Sequence, residues 1–188
     1  MKLYEQGTVK VHIASLDRSS APRHDLAAER RTATGLIGEI FPGGGGGYGH
    51  RSDGSPILEG APGSISVSHC RRCVAVAVDD AGGEIGVDVE SADRGAQLRR
   101  VSGRFLGDGE EQWGRSDARL LSAWSIKEAL YKAARREGWA LLSIPLPSDA
   151  EAFERGEACK VEALERRWRV VKAGEPEGCG PVVLVTGV

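Results

Sequence analysis

Apolar and polar residues alternate through Val9-Lys10-Val11-His12-Ile13, the period-two pattern of a strand with one buried face. Over residues 25–40 the period changes. Leu26, Ala33, Leu36, Ile37 and Ile40 fall at helical spacing behind the start signal His24-Asp25, which predicts a helix. Residues 42–63 are rich in glycine and polar side chains and read as a long loop. Residues 65–78 read as a hairpin turning at 69–72, and residues 84–90 as a third strand beyond the turn at 79–83. Helical spacing returns at 95–106 and at 117–137, and strands are expected at 160–164, 168–172 and 182–185.

The order of elements predicts an α+β protein of two mixed halves joined near residue 85, with boundaries 1–84 and 85–188. No internal sequence repeat marks the two halves. Of 188 residues, 40% are apolar and 28% charged, the balance of a folded globular chain rather than a disordered one. Net charge is −2, so nothing attracts nucleic acid or an anionic membrane globally; no nucleic-acid partner is expected. The N-terminal Met1-Lys2-Leu3-Tyr4-Glu5-Gln6 lacks the apolar core of a signal peptide, and no run nears the ~20 apolar residues of a membrane span. With four cysteines, too few for a disulfide scaffold, the expectation is a reduced, cytoplasmic protein without membrane attachment.

Two segments carry chemistry. In Gly86-Val87-Asp88-Val89-Glu90 the strand period puts Asp88 and Glu90 on one face and the valines on the other. Paired carboxylates are either a strand end entering solvent or the oxygen ligands of a hard cation such as Mg²⁺. In Trp124-Ser125-Ile126-Lys127-Glu128-Ala129-Leu130-Tyr131-Lys132, Glu128 and Lys132 share a helix face. Taken singly, they make an ordinary surface ion pair. Taken with the first segment, 40 positions from Asp88 to Glu128, they supply a third carboxylate flanked by lysines, a set suited to a metal-bound pyrophosphate.

Together these residues resemble the 4′-phosphopantetheinyl transferases, whose signatures are a (V/I)-G-(V/I)-D-(V/I)-E strand and, further on, W-(S/T)-x-K-E-(A/S)-x-x-K. Ile65-Ser66-Val67-Ser68-His69 is similar to the family's N-(I/V)-S-H-S strand, and Arg104-Phe105-Leu106 with Glu110-Glu111 to its R-F-F-x-x-x-E segment. Asp53-Gly54-Ser55-Pro56 resembles its G-K-P turn, Leu142-Ser143-Ile144-Pro145-Leu146 a stretch after the second signature, and Arg31-Thr32 falls where the first helix carries a CoA-contacting arginine. Length and layout resemble the monomeric, surfactin-synthetase-activating type.

The resemblance implies a pseudo-two-fold pair of α/β halves, each a small antiparallel sheet packed on helices. Residues 1–84 would face the adenine and 3′-phosphate of coenzyme A, and 85–188 the metal and the transfer chemistry. It implies transfer of phosphopantetheine from coenzyme A to a serine of an apo acyl or peptidyl carrier protein, the activity of a holo-acyl-carrier-protein synthase. Asp88, Glu90 and Glu128 would hold Mg²⁺; Glu128, Lys132 and Asp88 would be catalytic; and Arg31, Ser68, His69, Lys127 and Lys132 would bind the cofactor. Three positions depart from the family pattern: Ser55 for the basic residue of G-K-P, with Arg51 nearby; Cys70 for the second serine of S-H-S; and a broken glycine run after Lys132. These departures leave open a second class, a CoA- or carrier-binding protein of the same fold without turnover.

Two further patterns are set aside. Cys70-Arg71-Arg72-Cys73 has no second pair at zinc spacing and lies in a hairpin, so neither metal nor redox work is expected of it. The glycines at 43–47 follow a helix rather than a strand, so they read as a flexible connector and not a phosphate cradle.

Overall fold

A computed structural model describes residues 1–16, 26–41, 47–52, 54–60 and 62–188. The expected helix start at His24-Asp25, the glycines at 43–46 and Asp53 lie outside the described residues.

Two four-stranded antiparallel sheets carry the fold. The first comprises β1 (Lys2–Gln6), β2 (Val9–Ser15), β5 (Ser64–His69) and β6 (Cys73–Asp79), in the order β1-β2-β6-β5. The second comprises β7 (Ile85–Asp88), β8 (Cys159–Ala163), β9 (Arg166–Gly174) and β10 (Val182–Gly187), in the order β7-β10-β9-β8. Helix α1 (Leu26–Ile40) covers the first sheet; α3 (Asp117–Ala134) covers the second, with α2 (Gly95–Val101) against α3 and a short α4 (Ala150–Glu154) beyond it. The chain is α+β, as expected. The expected long loop holds a small hairpin, β3 (Gly47–His50) and β4 (Pro56–Glu59), whose Leu58 joins the core under α1.

Alternation along the central strands builds the layers. Val74, Val76 and Val78 of β6 face α1 with Ala33, Leu36 and Ile37, while Cys73, Ala75 and Ala77 face the second sheet. In β10, Val182 and Leu184 meet that same inner layer, and Val183 and Val185 face α3. Small side chains at 73, 75 and 77 suit a strand whose inner face is pressed against another sheet. Burial on both faces explains why β6 is an unbroken apolar run rather than a clean alternation.

Strand β7 lies against α3 at van der Waals distance. A Cβ on Gly86 would sit 1.9 Å from the carbonyl oxygen of Ala129 and 2.7 Å from the nitrogen of Ala133, both backbone atoms with no room to yield. Glycine is therefore required here by close approach. That approach puts Asp88, two residues on and on the same face, over the turn of α3 that bears Glu128 and Lys132.

The substitution Gly86→Ala is expected to cost at least about 2 kcal/mol of folding stability, because the helix or the strand must move. Urea unfolding measures this; a loss within the error of the wild-type value would contradict the packing.

Candidate active site

Asp88 is the hub. It is 4% exposed, and its Oδ1 accepts from Lys132 Nζ at 2.7 Å and from Ser68 Oγ at 2.9 Å. Lys132 Nζ also donates to the Val87 carbonyl at 3.1 Å, so the ammonium ties α3 to β7 twice. The second oxygen, Oδ2, is buried and has no hydrogen-bond partner among the described residues. An ionised oxygen taken out of water and left unpaired is costly.

Glu90 and Glu128 crowd the same hub. Burial pushes the Glu128 carboxyl above the ordinary glutamate range and the charge on Asp88 pushes it further, against the opposing pull of Lys132 and Arg94. Glu90 shifts upward for the same two reasons, opposed by its hydrogen bond to Arg94. Arg94 lies in the 3-10 turn Ala92–Arg94, pairs with Glu90 four residues before it, and stacks over Trp124 with 5.5 Å between guanidinium and ring centre. Trp124 is set edge-on to Phe105 at 5.2 Å. Sequence reading missed Arg94. The four-residue spacing from Glu90 was its only signal, and that spacing is weak where a strand runs into a turn.

The structure distributes the other expected residues unevenly. His69 Nδ1 lies 2.6 Å from Oε2 of Glu29, a fully buried carboxylate of α1. His69 and Arg30 line a cavity of about 620 Å³ with Thr34, His50, Gly54 and Pro56. A second cavity of about 550 Å³ shares Gly54 and Pro56 with it and is lined from the other half by Ile85, Tyr131, Lys132 and Arg135. The shared residues make one cleft, running from α1 across the 54–56 turn to the end of α3. Arg135 ends α3 in the left-handed region at φ 48°.

Arg31 is exposed, and its neighbour Arg30 takes the cleft position. With Glu29, Ala33, Leu36 and Ile37 buried, the helical phase puts residue 30 at the cleft and residue 31 outside it. Ser68 turns its hydroxyl into the protein, donating to Asp88 and accepting from Val89 N at 3.3 Å. It positions Asp88 and does not face the cleft.

Lys127, expected to bind the cofactor, does not line either of these cavities. Its side chain is fully buried, and Nζ donates to Glu110 Oε2 at 2.7 Å and to the Ile144 carbonyl at 2.6 Å. Burial lowers its pKa, opposed by Glu110. Glu110 also accepts from Gly107 N and Leu146 N, at 2.9 and 3.0 Å. The pair is thus a polar rivet closing the turns around 107 and 146 onto α3.

Two outcomes follow from these charges. Lys127→Ala leaves Glu110 with its partner gone and should cost about 3 kcal/mol of stability; wild-type stability with only a raised KM would mean that Lys127 meets a ligand instead. Glu128 has a folded pKa above its unfolded one, so its contribution to stability falls as pH rises from the ordinary glutamate value through the raised one. Glu128→Gln should therefore raise the thermal midpoint at neutral pH in chelating buffer, by the equivalent of about 1 kcal/mol. A lowered midpoint would show that the carboxylate is stabilised where it stands.

Among known families, the model of the 4′-phosphopantetheinyl transferase superfamily matches residues 84–169, the segment containing Asp88, Glu90, Glu110, Lys127, Glu128 and Lys132. Arg30, Ser68 and His69 lie before it. No curated protein matches the chain at a significant level.

Proposed function

We propose that the chain, whose residues 84–169 match the model of the 4′-phosphopantetheinyl transferase superfamily, moves phosphopantetheine from coenzyme A to a serine hydroxyl of an apo acyl or peptidyl carrier protein, releasing 3′,5′-ADP. The observation that carries this reading is the buried, unpartnered Oδ2 of Asp88, with two further carboxylates beside it and a lysine that reaches from it into the cleft.

That donor set fits a hard divalent cation. It has oxygen ligands only and a spare lone pair, and burial, with the charge on Asp88 added, raises the pKa of two of its members. Asp88, Glu90 and Glu128 would hold Mg²⁺, which when bound supplies Lewis-acid neutralisation of the pyrophosphate. The chain's own groups do the rest. Glu128, its basicity raised by burial, accepts the serine proton. Lys132 carries positive charge from Asp88 to the cleft wall, where it balances the charge on the bridging oxygen as the bond to the leaving 3′,5′-ADP breaks. Ser68 holds Asp88 in place.

At the other end of the cleft, Arg30 and His69 are the side chains placed to meet the 3′-phosphate of coenzyme A, His69 with its Nδ1 against Glu29. Because the same chain supplies both walls of the cleft, we infer that it works as a monomer. A cytoplasmic, reduced setting agrees with its four free cysteines.

The test is a mass measurement. Apo carrier proteins from fatty-acid, polyketide and peptide synthesis are incubated with the chain, coenzyme A and Mg²⁺. Expected are a phosphopantetheine mass increase on one serine and release of 3′,5′-ADP, both lost with Asp88→Ala. Coenzyme A binding without modification of any carrier would overturn the transferase reading in favour of a binding protein.

A further inference from the structure

Three thiols from distant parts of the chain converge where the two sheets meet. Cys70 follows β5 and Cys73 opens β6, their turn closed by Cys70 N donating to the Cys73 carbonyl at 2.9 Å. Cys179 arrives from the segment before β10 and pairs with Ser91 in an isolated bridge. The sulfurs lie 3.9 Å (Cys70–Cys73), 3.7 Å (Cys70–Cys179) and 3.5 Å (Cys73–Cys179) apart. All three residues are buried, at 4%, 0% and 7% exposure. Among the described residues, no other group of three candidate ligands gathers its donor atoms within 4.8 Å of one another.

Buried cysteines often act as small apolar side chains. Apolar packing, however, gives no reason for three sulfurs to point at a common centre. The spacing has a chemical counterpart: tetrahedral thiolates bound to zinc at about 2.3 Å stand about 3.8 Å from one another. Ser91, 3% exposed, stands beside the group through its bridge to Cys179. Arg72 lies beside the group. Its side chain packs on Gly178, where a Cβ would stand 3.4 Å from Nε, and its charge reaches Cys179, offsetting the excess negative charge of three thiolates around a dication. Gly178 adopts φ 72°, which lets the chain turn under Arg72 and present Cys179.

We propose that Cys70, Cys73 and Cys179 form a binding site for a thiophilic divalent cation of the zinc type, separate from the carboxylate site. The two sites differ in hardness: oxygen ligands select magnesium, and thiolates select zinc. A cation here fastens the β5–β6 hairpin of the first sheet to the segment entering the second. That segment is continuous with the active site, since Gly180 N donates to the Glu90 carbonyl at 2.9 Å and Ala92 N to the Gly178 carbonyl at 3.0 Å. The cation therefore braces the backbone that carries Glu90 and Arg94 and touches no reacting atom. Thiol protons are released as it binds.

The test uses the full chain, reduced, loaded with zinc and desalted against a weak chelator. Elemental analysis should find one zinc per chain in the wild type, in Cys159→Ser and in Asp88→Ala, and none in Cys70→Ser or Cys179→Ser. Cadmium titration of the wild type should produce a thiolate charge-transfer absorption saturating at one equivalent, with a raised unfolding midpoint. The wild-type measurement stands even if a cysteine variant fails to fold. No retained zinc and no cadmium–thiolate band in the wild type would overturn the proposal, as would zinc lost on Asp88→Ala or kept by both folded cysteine variants. Transferase activity is not part of the readout, so failure of the functional reading leaves this result interpretable.

Discussion

The two sheets meet through side chains, and the rest of the molecule depends on how. One edge of β7 ladders with β10. On its other side, Ser66 Oγ accepts from Val87 N at 3.0 Å and Ser68 Oγ from Val89 N at 3.3 Å. Two hydroxyls of β5 thus do what a neighbouring strand's carbonyls would do. An edge strand's N–H groups are satisfied without merging the two sheets into one. Because Ser68 also donates to Asp88, the contact that joins the halves orients the hub carboxylate as well. Stability and site geometry rest on the same atoms.

The second constraint is steric. Gly86 lets β7 touch the backbone of α3, so a strand residue and two helix residues far apart in the chain share one small volume. Charge is concentrated there at a cost that neighbouring groups meet only in part. Lys132 satisfies one oxygen of Asp88, Arg94 satisfies Glu90, and the Trp124 face supports Arg94. What stays unmet is the other oxygen of Asp88 and the charge on Glu128. Sites that concentrate uncompensated charge in this way are where binding energy can be drawn upon.

The polar groups around this centre divide by burial into those that can meet a ligand and those that hold the scaffold. Lys132, Arg135, Arg30 and His69 line the cleft. Lys127 and Ser68 are spent internally, on Glu110 and on Asp88. Lys127 and Lys132 lie five residues apart on α3, yet one is wholly buried and the other 30% exposed in its side chain. On a helix packed on most sides, a lysine facing inward must find a carboxylate, and the Glu110 turn provides it.

Much of this was legible from the amino-acid order. The strands at β2, β5, β6, β7 and β10 and the helices α1 and α3 announce themselves because burial imposes a period of two or 3.6 on side chains. Strands β1, β3 and β4 and helix α4 escaped because they are short and partly exposed, and take their form from the elements they pair with or pack against. The grouping of Asp88, Glu90, Glu128 and Lys132 was readable, since local spacing on a strand and on a helix dictates which side chains share a face. Tertiary structure alone decided which cations were free. That Arg30 rather than Arg31 reaches the cleft depends on which face α1 buries; that Lys127 is sealed depends on a carboxylate 17 residues away. The thiol cluster is the extreme case. Cys70 and Cys73 were visible as a pair, but their third member lies 106 residues beyond Cys73. Only the folding of one sheet onto the other sets that separation, because contact between distant segments is decided by how layers pack and not by any local period.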